Sequence, residues 1–207
     1  MTPPRPAEIR HYAIGSIILH WAIAVLIIGN IVLGVVGRDA HPPAKFAILG
    51  LHKSIGLTIL MLSLLRLGWR LTHRPPALPA TMRRWERGLA HIVHACLYIV
   101  MIGMPLTGWI SVTAYLSAPP IRYFGMVTWP GFPLVRDLAP GTLGPIHSGF
   151  ALTHSVLGKM ALALLVLHVA GALKHMLVRD GIMWRMAPVR LFLPRRSGRT
   201  DEATAEI

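Results

Sequence analysis

Four runs of predominantly apolar residues, each long enough to cross a lipid bilayer, constrain this chain more than any other feature. They cover Ile14–Val36, Ile48–Leu71, Leu89–Val112 and Gly149–Val178. A bilayer core of about 30 Å needs about 20 helical residues. A helix also satisfies its own backbone hydrogen bonds where no water can. The last run exceeds the minimum, which calls for tilt or extension beyond the bilayer. Charged residues make up 14% of the 207 positions, against about a quarter in a soluble domain. The expected fold is all-α, an integral membrane four-helix bundle over residues 14–178, with an N-terminal tail 1–13 and a basic C-terminal tail 179–207. No internal repeat stands out.

The formal net charge is +13, and the excess lies outside the apolar runs. That placement suits membrane flanks and argues against nucleic acid as a partner. The N-terminal tail carries Arg5 and Arg10. The second connection, "RLTHRPPALPATMRRWERG", holds Arg70, Arg74, Arg83, Arg84 and Arg87 against Glu86. The segment after the fourth run carries Lys174, Arg179, Arg185, Arg190, Arg195, Arg196 and Arg199. By the positive-inside rule both termini and the second connection face the cytoplasm. The third connection, about Thr113–Ser148, is rich in Pro, Gly and aromatics and lies on the opposite side. Tyr123, Trp129 and Phe132 suggest that it rests at the interface and covers what lies beneath. The start of the chain reads as a tail leading into a retained span, because no small-residue cleavage site follows a short apolar core. Cys96 is the sole cysteine, so an intrachain disulfide or a cysteine-based cluster is excluded.

Histidines inside the spans carry the chemistry. His154 and His168 stand fourteen residues apart on the fourth run, almost four helical turns, so they share a face about 21 Å apart along the axis. Each could be the axial ligand of a haem, with two haems stacked across the membrane. Each iron then needs a second imidazole at matching depth. With the N-terminus inside, His20 lies on the cytoplasmic side of the first run and His52 on the far side of the second. Depth and topology therefore pair His20 with His168 and His52 with His154. One such histidine could be an interhelical hydrogen-bond donor. Four, paired by depth on three helices, fit that account poorly. Zinc or a proton relay remain as other uses; zinc sites gather three or four ligands around one ion.

Arg66 lies fourteen residues after His52, on the same stripe and at the depth of the inner haem. It suits a carboxylate of that haem, or it snorkels to headgroups. Lys53 and Lys159 lie close to the outer histidines, with Lys45, Arg122 and Arg136 in the outer loops. His91 and His94 suit a propionate, a quinone carbonyl or, preferred, ordinary interhelical bonds. His147 is a reserve ligand, and His175 is interfacial. His11, His41 and His73 belong to connections and are expected to be solvated. Gly56, Gly158 and Gly171, on ligand-bearing runs, give room for a macrocycle or for close helix packing. Trp21 suits a haem edge or the aromatic belt.

Several stretches resemble one family: "LHW" at Leu19–Trp21, "LHKSIG" at Leu51–Gly56, "LRLGWRL" at Leu65–Leu71 and "GLAHIVHACLYIVMIGMPLTGW" at Gly88–Trp109. "THSVLGKMALALLVLH" at Thr153–His168 and "MWRMAP" at Met183–Pro188 complete the pattern. The chain is similar to the bacterial cytochromes b561 over nearly its whole length. The resemblance implies a multi-pass protein of the bacterial inner membrane with two b haems, whose axial histidines carry over to His20, His52, His154 and His168.

Family members include a superoxide oxidase that passes electrons to ubiquinone. The resemblance therefore implies electron transfer from superoxide, or another periplasmic one-electron donor, to ubiquinone. Lys53 and Lys159 would steer the superoxide anion. Two alternatives stand beside this. One is a cytochrome b subunit linking a partner dehydrogenase to the quinone pool. The other is a haem-free small transporter or metal-binding membrane protein.

Overall fold

The structure, a computed structural model, describes residues 12–73, 76, 82–178, 180 and 182–187. The tail arginines Arg5, Arg10, Arg179, Arg190, Arg195, Arg196 and Arg199, together with Arg74 and His11, lie outside the described residues.

Four helices appear where the apolar runs place them, each extended at one or both ends: α1 Ile14–Asp39, α2 Ala44–Thr72, α3 Arg84–Ala114 and α4 Pro140–Val178. The sequence explains the breaks. α1 stops short of Pro42 and Pro43, since a residue before proline is pushed out of the helical region. α2 begins directly after that pair. α4 starts nine residues before the apolar run because Pro140 can occupy a first helical position, where no amide donor is needed. Its 39 residues make about 58 Å of helix. The Gly- and Pro-rich character of this segment had suggested a connection, but packing of Leu143 and Ile146 against Ala114, Phe132 and Val135 holds it helical.

The chain is a multi-pass membrane protein by the length and apolarity of all four helices. Its polarity is arranged accordingly. Val25, Ile99 and Val166 are 66%, 67% and 61% exposed, which water would penalise and lipid tails accept. Between the helices lie Asn30, Ser54, Ser63, Thr107 and Ser111, all buried. α1 packs on α2 and α3 on α4, and the two hairpins join through α2 and α3.

The third connection holds a small departure from an all-helical chain. Strands β1 Arg122–Tyr123 and β2 Val127–Thr128 pair antiparallel, with Tyr123 opposite Val127. Phe124 and Gly125 take left-handed backbone angles, φ 48° and 76°, a conformation strained for a bulky side chain. Ser54, fully buried on α2, accepts the Phe124 N–H at 2.9 Å. Tyr123 reaches further along α2, its hydroxyl 2.9 Å from that of Thr58. The hairpin is thus seated on α2 rather than spread on the surface. Its aromatics pack on one another: Trp129 on Tyr123 and Trp109, and Phe132 on Trp109. At the opposite end a short 3₁₀ turn, Met183–Arg185, returns from α4. Trp21 Nε1–H donates to Met186 O at 2.8 Å and ties that turn to α1.

Candidate functional site

The structure brings the four intramembrane histidines together as two pairs. His20 of α1 faces His168 of α4, with ring centres 6.1 Å apart. His52 of α2 faces His154 of α4 at 6.2 Å. Two imidazoles on opposite sides of one ion, each bonded at about 2 Å, have centres about 6 Å apart. Either gap therefore suits one ion between two rings.

Hydrogen bonding fixes the chemistry of the His52 pair. His52 Nδ1 lies 2.9 Å from the Asn30 carbonyl oxygen, and His154 Nδ1 lies 2.9 Å from that of Met104. A carbonyl only accepts, so each Nδ1 carries the proton and each Nε2 offers its lone pair. A ligating histidine requires this tautomer. Both rings also lie against a glycine of the neighbouring helix. A Cβ on Gly34 would stand 3.0 Å from His52 Cε1, and one on Gly108 3.0 Å from His154 Cε1 and Nδ1. Thr107 adds a contact at 3.4 Å to His154 Nδ1, while donating its proton to Met104 O at 2.8 Å.

The His20 pair is held differently. Arg66 Nη1 lies 3.0 Å from His20 Nδ1. A guanidinium only donates, so this Nδ1 is an acceptor and the neutral ring carries its proton at Nε2. Binding iron at Nε2 would move that proton to Nδ1 and release Arg66. The guanidinium would then be free for an anionic group beside the pair. His94 adds a third imidazole, its ring 5.4 Å from His168. Its Nδ1 bonds to Ala90 O of its own helix at 2.6 Å, so the interhelical bond preferred from the sequence is replaced by one within α3.

Other sequence candidates fall outside the pairs. His147 bonds Ser111 O at 2.9 Å and stacks on Tyr115, which occupies it away from His52. His175 pairs with Asp180. His73 is exposed but stacks on Trp69 and bonds Trp69 O, ending α2. His41 is exposed, as expected of a connection. Lys53 is half-buried and Lys159 exposed. Trp21 touches the His20 ring. Of the glycines singled out, a Cβ would find open space at Gly171 and ordinary contacts at Gly56 and Gly158. The glycines tight against histidine rings are Gly34 of α1, facing His52, and Gly108 of α3, facing His154. Sequence reasoning looked for room on the helix that carries each of these two histidines, whereas the close approach is on the helix that its ring faces.

The donor set fits a porphyrin iron. Each level offers an opposed pair of imidazoles and, among the described residues, no thiolate. Among the described residues no group of three or more His, Cys, Asp or Glu converges on a point, which a zinc site would require.

A helical bundle that spans the membrane and presents opposed imidazoles between its helices belongs to the class of membrane b-type cytochromes. The family described as prokaryotic cytochrome b561 matches residues 11–188, and the chain is a member of it. The chain is similar to cytochrome b561 homolog 2 of Escherichia coli (strain K12), 28% identical over 178 residues, 84% of this chain and 90% of that protein. It is also similar to "Probable superoxide oxidase CybB" of Yersinia pestis, 26% identical over 184 residues, 86% of this chain and 97% of that protein. Membership implies haem b binding and a role in electron transport.

Proposed function

We propose that this chain is a di-haem cytochrome b of the bacterial inner membrane that oxidises superoxide on the periplasmic side and reduces ubiquinone. The observation that carries the reading is the pair of imidazole gaps, His20–His168 and His52–His154. Their α4 members stand about 21 Å apart along one helix. One haem at each level would form a chain of one-electron carriers through the bilayer; bound haem supplies the reversible gain and loss of single electrons.

The protein supplies position and field. His52 and His154 carry their protons on the carbonyl-bonded nitrogens, which leaves both Nε2 atoms for iron. Two imidazoles per iron leave no open coordination position, so superoxide would give up its electron without binding metal. Two superoxide anions yield two dioxygen molecules and two electrons; one ubiquinone takes both electrons with two protons to become ubiquinol. Lys53 and Lys159, near the His52 level, give that face positive charge to draw an anion. Arg66 stands beside the His20 level, where its charge would favour the reduced state of a bound haem. The positive-inside rule supports cytoplasmic termini and hence a periplasmic His52–His154 level. The name of the Yersinia pestis relative supports the choice of superoxide.

The test is a pyridine haemochrome measurement on quantified protein, followed by superoxide-driven reduction of a short-chain ubiquinone. Two b haems per chain with superoxide-dependent ubiquinol formation are expected. Two haems without that activity would assign the chain as an electron-transfer subunit for a partner dehydrogenase. A folded, colourless protein from haem-replete cells would refute the reading.

A further inference from the structure

We propose that the β1–β2 hairpin re-enters the membrane and presents its tip to the acyl chains of the leaflet on the His52 side. This placement holds whichever donor and acceptor the chain serves. Depth is read from α2. That helix runs from His52 toward Arg66, which meets His20, so later residues lie deeper. Ser54 is two residues past His52, about 3 Å deeper, and Thr58 is six residues past it, about 9 Å deeper. Ser54 Oγ accepts the Phe124 N–H at 2.9 Å. Thr58 Oγ1 donates to Ser54 O at 3.0 Å, so the Tyr123 hydroxyl, 2.9 Å away, donates to Thr58. The hairpin therefore reaches the depth of the His52 pair.

The face of α2 that receives the hairpin belongs to lipid above and below it. Leu51, Ser54, Thr58, Met61 and Leu65 fall within an arc of about 80° on the helix. Leu51, Met61 and Leu65 are exposed, as side chains against lipid are. The two hydroxyl residues between them are the ones that the hairpin bonds: Ser54 is fully buried and Thr58 half-buried. The tip continues the lipid-facing surface. Phe124, Met126 and Val127 are exposed, Met126 by 73%. In water such a tip carries a cost that acyl chains remove. Irregular backbone is tolerated at membrane depth only when its polar groups are satisfied by protein, and here they are. The N–H groups of Gly125, Met126 and Trp129 donate to the carbonyls of Arg122, Tyr123 and Ile121 at 3.2, 3.0 and 2.7 Å. The Gly125 carbonyl accepts from Arg122 Nη2 at 3.1 Å. Arg122 is the only charged residue from Ile121 to Thr128, and its long stem lets the other guanidinium donors snorkel toward headgroups. The connection between α3 and α4 thus contributes a wall against lipid at the His52 level.

Cys96→Ala gives a background without cysteine. Met126→Cys, Val127→Cys and, as an aqueous control, Asp137→Cys are made in it; Asp137 has a side chain 75% exposed and paired with Arg136. Each full-length, haem-loaded variant is labelled with bimane and reconstituted into phosphatidylcholine vesicles. Emission is quenched by phosphatidylcholine that carries a nitroxide on its acyl chain, or by iodide on both sides of the bilayer. The nitroxide lipid should quench strongly at both tip positions. The iodide quenching constant there should be about tenfold below that at the Asp137 position, because an anion is excluded from hydrocarbon. Haem content equal to wild type shows that a variant folds, and either tip position alone gives the reading. Iodide quenching at the tip as strong as at the Asp137 position would overturn the proposal by placing the hairpin in water. Quenching by neither agent would overturn it in favour of a tip covered by protein, such as a second copy of the chain.

Discussion

Replacing Gly108 by alanine should loosen one haem site and leave the other intact. The new Cβ would stand 3.0 Å from His154 Cε1 and Nδ1, about half an ångström inside a carbon–carbon contact of about 3.5 Å. The ring has little freedom to retreat. Its Nδ1 is held 2.9 Å from Met104 O, one turn earlier on the same helix, and a shift of half an ångström would stretch that bond beyond its normal range. Gly34→Ala makes the same demand on His52, at 3.0 Å from Cε1 and 3.3 Å from Nδ1. Overpacking of this kind costs about 1–3 kcal/mol, which weakens haem binding about 5- to 150-fold. Controls separate packing from helix propensity. At Gly29 a Cβ meets nothing within 4 Å, and at Gly103 only Leu157 Cδ1 at 3.8 Å. Alanine there should be neutral or stabilise the helix by about 1 kcal/mol. The assay is titration of apoprotein with haem, read by absorbance and checked by pyridine haemochrome. Wild-type affinity at both sites in Gly34→Ala and Gly108→Ala would refute the argument that the rings occupy those glycine surfaces when haem is bound.

Four further outcomes follow from the same geometry. His168→Ala should halve the haem per chain by emptying the His20 level alone, seen by haemochrome assay; retention of two haems would reject His168 as a ligand. Arg66→Gln should lower the midpoint potential of the haem at that level, because a nearby cation favours the reduced, less positive iron. A tenfold change in the one-electron equilibrium corresponds to about 59 mV, and spectroelectrochemistry should show it for one haem and not the other. Ser54→Ala removes the acceptor for the strained Phe124 amide and should destabilise the hairpin by about 1–2 kcal/mol, read as faster tryptic cleavage after Arg122 than in the wild type. Raising ionic strength should slow superoxide oxidation if Lys53 and Lys159 steer the anion; a flat profile would remove that role.

The bundle was legible because lipid imposes a simple rule on sequence: long apolar runs become helices. The approach of His20 to His168 and of His52 to His154 was legible for a related reason. Helical rise converts residue number into depth, and the charge bias supplies direction. The extent of α4 was less legible, since Gly141, Gly144 and Pro145 signal a loop locally and only contacts with Ala114 and Val135 override them. The hairpin escaped notice because its decisive partner, Ser54, is a small hydroxyl on a helix and marks nothing by itself. The acceptors for His52 and His154 are backbone carbonyls. No residue type announces a carbonyl, so the hydrogen bonds that select the ligating tautomer left no trace except two glycines.

Those glycines obey a geometric requirement. In a helix the carbonyl of one residue points toward the amide four positions on. A ring from a neighbouring helix that reaches such a carbonyl must pass over the residue four positions later. Asn30 is followed four positions later by Gly34, and Met104 by Gly108, and each histidine lies against the matching glycine. The chain shows no sequence repeat, yet its two hairpins solve one problem in the same way: α1 receives a ring from α2, and α3 receives a ring from α4. The His20 level does without this device: Arg66, a donor, meets His20 Nδ1 and would leave it when Nε2 binds iron. A backbone acceptor fixes a tautomer rigidly, whereas a guanidinium can move and exchange partners. Substitution beside the His52 pair should therefore act mainly on whether haem is held, and substitution of Arg66 mainly on the potential at which that level accepts an electron.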